Sequence, residues 1–496
     1  MLKRAAGVLL NISSLPSQFG IGGFGKEIEL MCEFLKRGGF TYWQILPITT
    51  IGMGNSPYSS ESAFAINSLY IDPYKLLEDG LVTKHDVDNA KYKGEPWQVD
   101  YDNVKKLKGN LLKIAFNNAK DINLDKFIKK SPWVKAYAEF KTLKELNNEK
   151  AWYEWDIKLK DREEDCISRI IKNNKNTYMY YVFEQYICQK QWNEARVLCK
   201  KYGIKIIGDM PMYVSLDSSD VWGDRKQFLL NKKGSPKKVA GVPPDYFSED
   251  GQLWGNPLYD YNYMREDGFK WWMSRVDQMM NVYDILRIDH FRAFSQYWAV
   301  DANAKTAKEG KWCKGAGMDL FNLIYTKYSK DRFIAEDLGI IDNKVRKLLK
   351  ETGLPCMRVF QFGFDSDESI HLPKNYTENT VGYTATHDNN TTLGWLYELD
   401  DNTRRKVLHL IDCDYSVWGI GSYENVSVKK CIKNVLDSKC FLAIIPFQDL
   451  CGFGSDCRMN TPGVAEDNWK YRIIKEQMDL CPMDEYYKML KETNRL

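Results

Sequence analysis

Tyr283-Asp284-Ile285-Leu286-Arg287-Ile288-Asp289-His290 is a short apolar run that breaks off in charged residues. Seven other runs have the same form. Residues 6–10 lead into Asn11-Ile12-Ser13-Ser14, 42–45 into Leu46-Pro47, and 204–207 into Gly208-Asp209-Met210-Pro211. Residues 332–335 lead into Glu336-Asp337, 356–360 into Gln361-Phe362, 380–384 towards His387-Asp388, and 441–445 into Pro446-Phe447-Gln448-Asp449. Runs of this length, rich in Ile, Val and aromatic residues, read as parallel strands buried on both faces. Amphipathic stretches lie between many of them. Residues 27–37 carry Ile28, Met31, Phe34 and Leu35 at helical spacing, and 183–202 and 343–351 are two more. Eight alternations of strand and helix predict an α/β fold, a (β/α)₈ barrel of TIM type. In such a barrel the residues just past the strand C-termini build the active site, and the polar tails fall there.

A length of 496 residues suits two or three domains, or one large barrel with insertions. The reading favoured here is a single catalytic barrel over 1–496. Residues 75–178 are rich in Lys, Asn, Glu and Trp and carry no strand signal. They predict a mostly helical insertion after the second strand. Residues 211–271 are rich in Gly, Pro and Asp and predict long loops over the barrel mouth.

Composition narrows the function classes. Seventy basic residues face 67 acidic ones, a net of +3, which gives no support for a nucleic-acid partner. Hydrophobic residues at 44% allow a sizeable core, but no apolar stretch approaches the length of a membrane span. The 12 cysteines are scattered and none forms Cys-x-x-Cys, as expected of free thiols in the cytoplasm. Fifteen Trp, 30 Tyr and 22 Phe offer flat faces on which sugar rings pack, although a large core would use the same rings.

Three carboxylates sit at strand ends: Asp289, Glu336 and Asp388. Arg287 and Asp289 lie two apart, on one face of a strand, where the cation should lower the carboxyl pKa and keep it ionised. Glu336 follows apolar Phe333-Ile334-Ala335, and desolvation there should raise its pKa, as a general acid/base requires. Asp388 follows His387, and both can bond sugar hydroxyls as positive charge develops on the ring. Taken singly, each has a plainer reading: a neutralised Arg–Asp pair, a solvated loop, a helix N-cap. Their combination points to glycosidic chemistry.

These segments resemble the amylomaltases, the 4-α-glucanotransferase family of the wider α-amylase superfamily. The matching motifs run nearly end to end. They are Ser14-Leu15-Pro16-Ser17 with Gly20-Ile21-Gly22, Ser56-Pro57-Tyr58-Ser59 with Ser62-Ala63-Phe64-Ala65, and Gly208-Asp209-Met210-Pro211-Met212-Tyr213-Val214. The loop Ala240-Gly241-Val242-Pro243-Pro244-Asp245-Tyr246-Phe247-Ser248 runs on to Gly251-Gln252-Leu253-Trp254-Gly255-Asn256-Pro257. Arg287 to Arg292, Ile334-Ala335-Glu336-Asp337-Leu338-Gly339, Thr386-His387-Asp388-Asn389 and Arg458-Met459-Asn460-Thr461-Pro462-Gly463 complete the set.

The resemblance implies transfer of α-1,4-glucan segments from maltooligosaccharides, starch or glycogen chains to glucose or maltodextrin acceptors. It implies Asp289 as the nucleophile of a retaining double displacement, Glu336 as the acid and then the base, and Asp388 as the stabiliser of the oxocarbenium-like transition state. Asp209, Arg287, His387 and Asn460 would shape the pocket for the reacting glucose, and Tyr58 would stack on a sugar ring. Tyr246, Phe247 and Trp254 would line the acceptor side on a mobile loop, and Asn256 and His290 would also bind sugar. The family uses no metal or other cofactor, and the five histidines form no ligand cluster in sequence. Asn11 stands where members often have His, and Ala293 where they have Gly. An α-glucan hydrolase shares all three carboxylates and is the nearest alternative. A dead barrel would be expected to have lost a carboxylate, and a metal-dependent barrel hydrolase would need paired histidines at strand ends.

Overall fold

The computed structural model describes residues 3–244, 249–464 and 466–496. Eight strands close a barrel: β1 (Ala5–Leu9), β2 (Tyr42–Gln44), β3 (Lys205–Met210), β4 (Ile285–Ile288), β5 (Phe333–Ala335), β6 (Cys356–Val359), β7 (Thr380–Tyr383) and β8 (Leu442–Pro446). They follow one another around the barrel in chain order, all parallel, and β8 pairs back onto β1 from Ala5↔Leu442 to Leu9↔Pro446. Each strand is one of the apolar runs quoted above. Every residue of β1, β7 and β8 is buried, because helices cover the outside and side chains fill the inside. A fully buried Val or Ile, such as Val8, Ile206 or Ile444, contributes about 1.5–3 kcal/mol over an exposed one.

Two registers position the site. In β3 and β4, Asp209 stands opposite Arg287 and Met210 opposite Ile288. In β4 and β5, Ile288 stands opposite Ala335, so Asp289 and Glu336 leave adjacent strands side by side.

Helix Lys26–Arg37 follows β1 and buries Ile28, Met31, Phe34 and Leu35, the face read from its spacing. Between β2 and β3 the chain forms helices Tyr101–Asn118, Leu124–Lys130, Trp133–Leu146 and Glu164–Asn173, then Lys175–Lys201, which leads into β3. Residues 211–271 depart from the loop expectation. They contain strands Lys238–Val242 and Gln252–Pro257 as well as helices Ser219–Gly223 and Tyr261–Asp267. The two strands join Gln296–Asp301 and Gly310–Lys314, which follow β4, in a four-stranded antiparallel sheet beside the barrel. Among the described residues no helix is long and apolar enough to cross a membrane. All twelve cysteines are free thiols.

Candidate active site

The site grows from the β3–β4 pairing. Arg287 reaches across to Asp209, with Nη1 donating to Oδ2 at 2.5 Å, and along its own strand to Asp289 Oδ1 at 3.1 Å. Both Arg287 and Asp209 are buried. The Tyr58 hydroxyl donates to the same Asp209 Oδ2 at 2.7 Å. One chain of hydrogen bonds thus runs from the loop after β2, through β3, to the carboxylate at the end of β4.

Glu336 is held by backbone rather than by side chains. Its Oε2 accepts from the His290 amide at 2.7 Å and its Oε1 from the Leu338 amide at 2.7 Å. His290 has a φ of 47°, in the left-handed region. The chain turns sharply after Asp289, and the His290 amide that results bonds the carboxylate on the next strand.

Asp388 completes the group from the loop after β7. Its Oδ1 accepts from Asn460 Nδ2 at 2.6 Å, and His387 Nε2 stands 3.3 Å from its Oδ2. Its side chain is 45% exposed against 25% for Asp289, so it faces the open side of the pocket. The Tyr58 ring stacks on His387 with centroids 5.3 Å apart and planes 10° apart, which joins the two halves of the site. On the opposite flank Trp254 meets the His290 ring edge-on at 4.8 Å and is itself partly exposed.

The structure therefore connects Tyr58, Asp209, Arg287, Asp289, Glu336, His387, Asp388 and Asn460, with His290 and Trp254 beside them. Asn256 is engaged differently: its Nδ2 donates to the Val214 carbonyl at 2.9 Å and ties the side sheet to the loop after β3. Tyr246 and Phe247 lie outside the described residues.

Electrostatics departs from the simple Arg–Asp expectation. Burial pushes the Asp289 carboxyl up to about 8; Arg287 pulls it down, and Asp209, Glu336 and Asp388 push it up again. Arg287 cannot hold it low because its charge is divided, with the shorter contact going to Asp209. Burial also raises the Glu336 carboxyl, against the pull of Arg287 and the two backbone bonds. Burial lowers His290 to about 3 and also lowers His387, so both rings are neutral hydrogen-bonding groups at pH 7.

A buried arginine at the floor, carboxylates at the ends of the adjacent strands β4 and β5 with a third after β7, and aromatic side walls suit retaining chemistry on a glycosidic bond. The family profile of the 4-α-glucanotransferases matches residues 10–476. The chain belongs to the 4-α-glucanotransferase family. It is 41% identical over 477 residues to a 4-α-glucanotransferase of Aquifex aeolicus, covering 95% of this chain and 96% of that one. A chloroplastic or amyloplastic 4-α-glucanotransferase of Arabidopsis thaliana is 38% identical over 481 residues, covering 95% and 82%. The amylomaltase of Streptococcus agalactiae, solved in complex with acarbose, superposes with a TM-score of 0.94 at 36% identity, covering 99% of this chain and 100% of that one.

Three residues of this glucanotransferase escaped the sequence reading. Trp469 lies with its ring 5.7 Å from Tyr58 and 6.0 Å from His387. Tyr213 lies with its ring 6.1 Å from Trp254 and 6.4 Å from His290. Arg458 bonds the backbone at Asp388 and Asn460. Tyr213 and Arg458 sit inside quoted motifs, which was a usable signal; Trp469 follows the last motif by several residues and had none.

Proposed function

We propose that this glucanotransferase moves α-1,4-linked glucan segments from maltodextrin donors to glucose or maltodextrin acceptors by double displacement with retention. Asp289 attacks the anomeric carbon and forms a glycosyl-enzyme while Glu336 protonates the departing glycosidic oxygen. Glu336, now ionised, takes the proton of the incoming acceptor hydroxyl, which attacks the same carbon and releases Asp289. Asp388 faces the sugar ring and stabilises the positive charge that develops on it in both steps. The observation that carries the reading is the shared register of β4 and β5, which brings a carboxylate bonded to a buried arginine beside one bonded only to amides. That asymmetry matches two roles: a nucleophile whose ionised form Arg287 stabilises against burial, and a second carboxylate with no cation at hydrogen-bond distance, suited to take up and lose a proton.

Arg287, Asp209 and His387 shape the subsite for the reacting glucose, and Tyr58 presents a ring for it. Trp254 and His290 form one wall of the acceptor side. This wall withholds water from the glycosyl-enzyme until a sugar arrives, which favours transfer over hydrolysis.

Incubation with maltotriose tests the reading. Free glucose with a ladder of longer maltodextrins is expected, and Asp289→Asn should lower the rate on the order of 10³-fold or more. Glucose and maltose with no longer chains would make the enzyme a hydrolase. Shortening the loop that carries Tyr246 and Phe247 should raise hydrolysis relative to transfer, and an unchanged ratio would remove that part of the account.

A further inference from the structure

Among the described residues no backbone amide holds the Asp388 carboxylate, unlike that of Glu336. Besides His387, 3.3 Å away on its own loop, what fixes it comes from the loop after β8. Asn460, in the loop after β8, donates to its Oδ1 at 2.6 Å. Arg458 then closes a ring around the pair. Its Nη2 donates to the Asp388 carbonyl oxygen at 2.8 Å, and its Nε donates to the Asn460 carbonyl oxygen at 2.8 Å. Asp388 and Arg458 are 70 residues apart in sequence, so this one guanidinium staples the loop after β7 to the loop after β8. Elsewhere the two segments are tied by Asn390 Nδ2 donating to Ser455 Oγ at 2.9 Å and by Thr384 and Thr392 donating to Asp449, but at Asp388 itself only the bond from Asn460 would remain among the described residues.

Arg458 itself is only half-buried and lines a pocket with His387, Asn389 and Gln448. Burial lowers its pKa somewhat, with Glu398 and Asp388 raising it, and a guanidinium remains charged at any working pH.

We propose that Arg458 is a positioning residue for the transferase reaction: it sets the distance between the Asp388 carboxylate and the sugar ring by locking the backbone of Asp388 to that of Asn460. The argument is geometric. Two N–H groups of one planar fork meet two carbonyls on two loops, a pattern that the compact ammonium of lysine cannot reproduce. A carboxylate that stabilises a cationic transition state works by position, and a displacement of about 1 Å lowers the rate on the order of 10²-fold. Arg458 touches no reacting atom in this scheme, so its loss should weaken the chemical step and leave sugar binding nearly intact.

The inference rests on the role given to Asp388 above, and the experiment separates the two. Arg458→Gln and Arg458→Lys are compared with Asp388→Asn in maltotriose disproportionation, alongside thermal unfolding. Both Arg458 variants should lose about 10- to 100-fold in kcat, with KM within about threefold and Tm within a few degrees of the parent. α-Maltosyl fluoride, whose leaving group needs no proton, should show the same loss, because oxocarbenium character develops whatever the leaving group. Full activity in Arg458→Lys would reduce the residue to a bulk charge and overturn the proposal. So would a rise in KM at constant kcat, which means direct contact with sugar, or a loss that tracks unfolding. An active Asp388→Asn would instead remove the role of Asp388 itself.

Discussion

An attacking carboxylate must be ionised, yet burial holds the Asp289 carboxyl up to about 8, above the ordinary 3.8. The groups that face it are Arg287 on one side and Asp209, Glu336 and Asp388 on the others. The protons of Asp289 and Glu336 are therefore shared, and their titration belongs to the pair. The working state holds one proton between the two: Glu336 carries it to the leaving oxygen, and Asp289 gives up its own, a step that its 3.1 Å contact with Arg287 favours and that burial opposes. The acid limb of kcat/KM should consequently lie above the ordinary carboxylate range, and Arg287→Met should move it further up. A stopped pH series on both enzymes reads this directly, and an unmoved limb would separate Arg287 from the titration. The same shift has a sign for stability. A carboxyl with a raised folded-state pKa favours the fold below the unfolded value and loses that contribution as pH rises through the folded one. Asp289→Asn should thus be more stable than the parent at pH 8–9, on the order of 1–3 kcal/mol, with the gain vanishing below about pH 4. Calorimetry at the two pH values checks it; an equal effect at both would assign the change to packing.

At the scale of strands, close approach matters as much as chemistry. Gly208 precedes Asp209 in β3, and a Cβ there would lie 2.2 Å from the Tyr283 ring. That ring is fully buried, and its hydroxyl accepts from the Ile48 amide at 3.2 Å, so it has nowhere to go. Gly208→Ala should destabilise by about 3 kcal/mol and lower kcat by displacing Asp209 and, through it, Arg287. Unfolding and kinetics of the variant are the measurements; wild-type values for both would show that β3 has slack. All eight barrel strands were legible, because a strand buried on both faces is a continuous apolar word and its polar end marks the barrel top. The antiparallel side sheet was not. Gln252–Pro257 is largely exposed and Gly310–Lys314 is exposed at three of its five residues, so neither carries the alternation that signals a strand. Lys238–Val242 finds its partner Gln296–Asp301 only after β4 has intervened. The three carboxylates were legible as residue types at strand ends. The division of Arg287 between two of its neighbours was not, since Asp209 reaches it only through the β3–β4 register.

Across the whole molecule the two ends of the barrel do different work. The strand C-termini carry the carboxylates, and the other end closes the ring where β8 meets β1. Arg495 sits there, fully buried, and clasps the seam. Its Nη1 donates to the Ala5 carbonyl at 2.9 Å, its Nε to Leu436 at 2.7 Å, and its Nη2 to Cys440 at 3.0 Å and Ser438 at 3.2 Å. Arg4 adds bonds to Ser438 at 2.8 Å and Leu436 at 3.0 Å. These are carbonyls at the bottom of β1, on the last turn of helix Val426–Asp437 and on the turn entering β8, far along the strands from Asp289 and Glu336. Removing the guanidinium leaves several buried acceptors unpaired, a penalty of about 2–4 kcal/mol. A barrel opens at its seam, so the loss should appear as a lower Tm for the whole cooperative unit. The chemistry should not follow it, because the geometry at the top face depends on the registers of β3, β4 and β5, which Arg495 does not touch. Arg495→Ala should therefore unfold several degrees earlier while keeping kcat/KM for maltodextrin disproportionation within about twofold at 25 °C. Differential scanning calorimetry with a glucose-release assay on the same preparation decides it. A catalytic loss at a temperature where the variant is fully folded would mean that strain at the seam reaches the carboxylates, and that the two faces of this barrel are mechanically coupled.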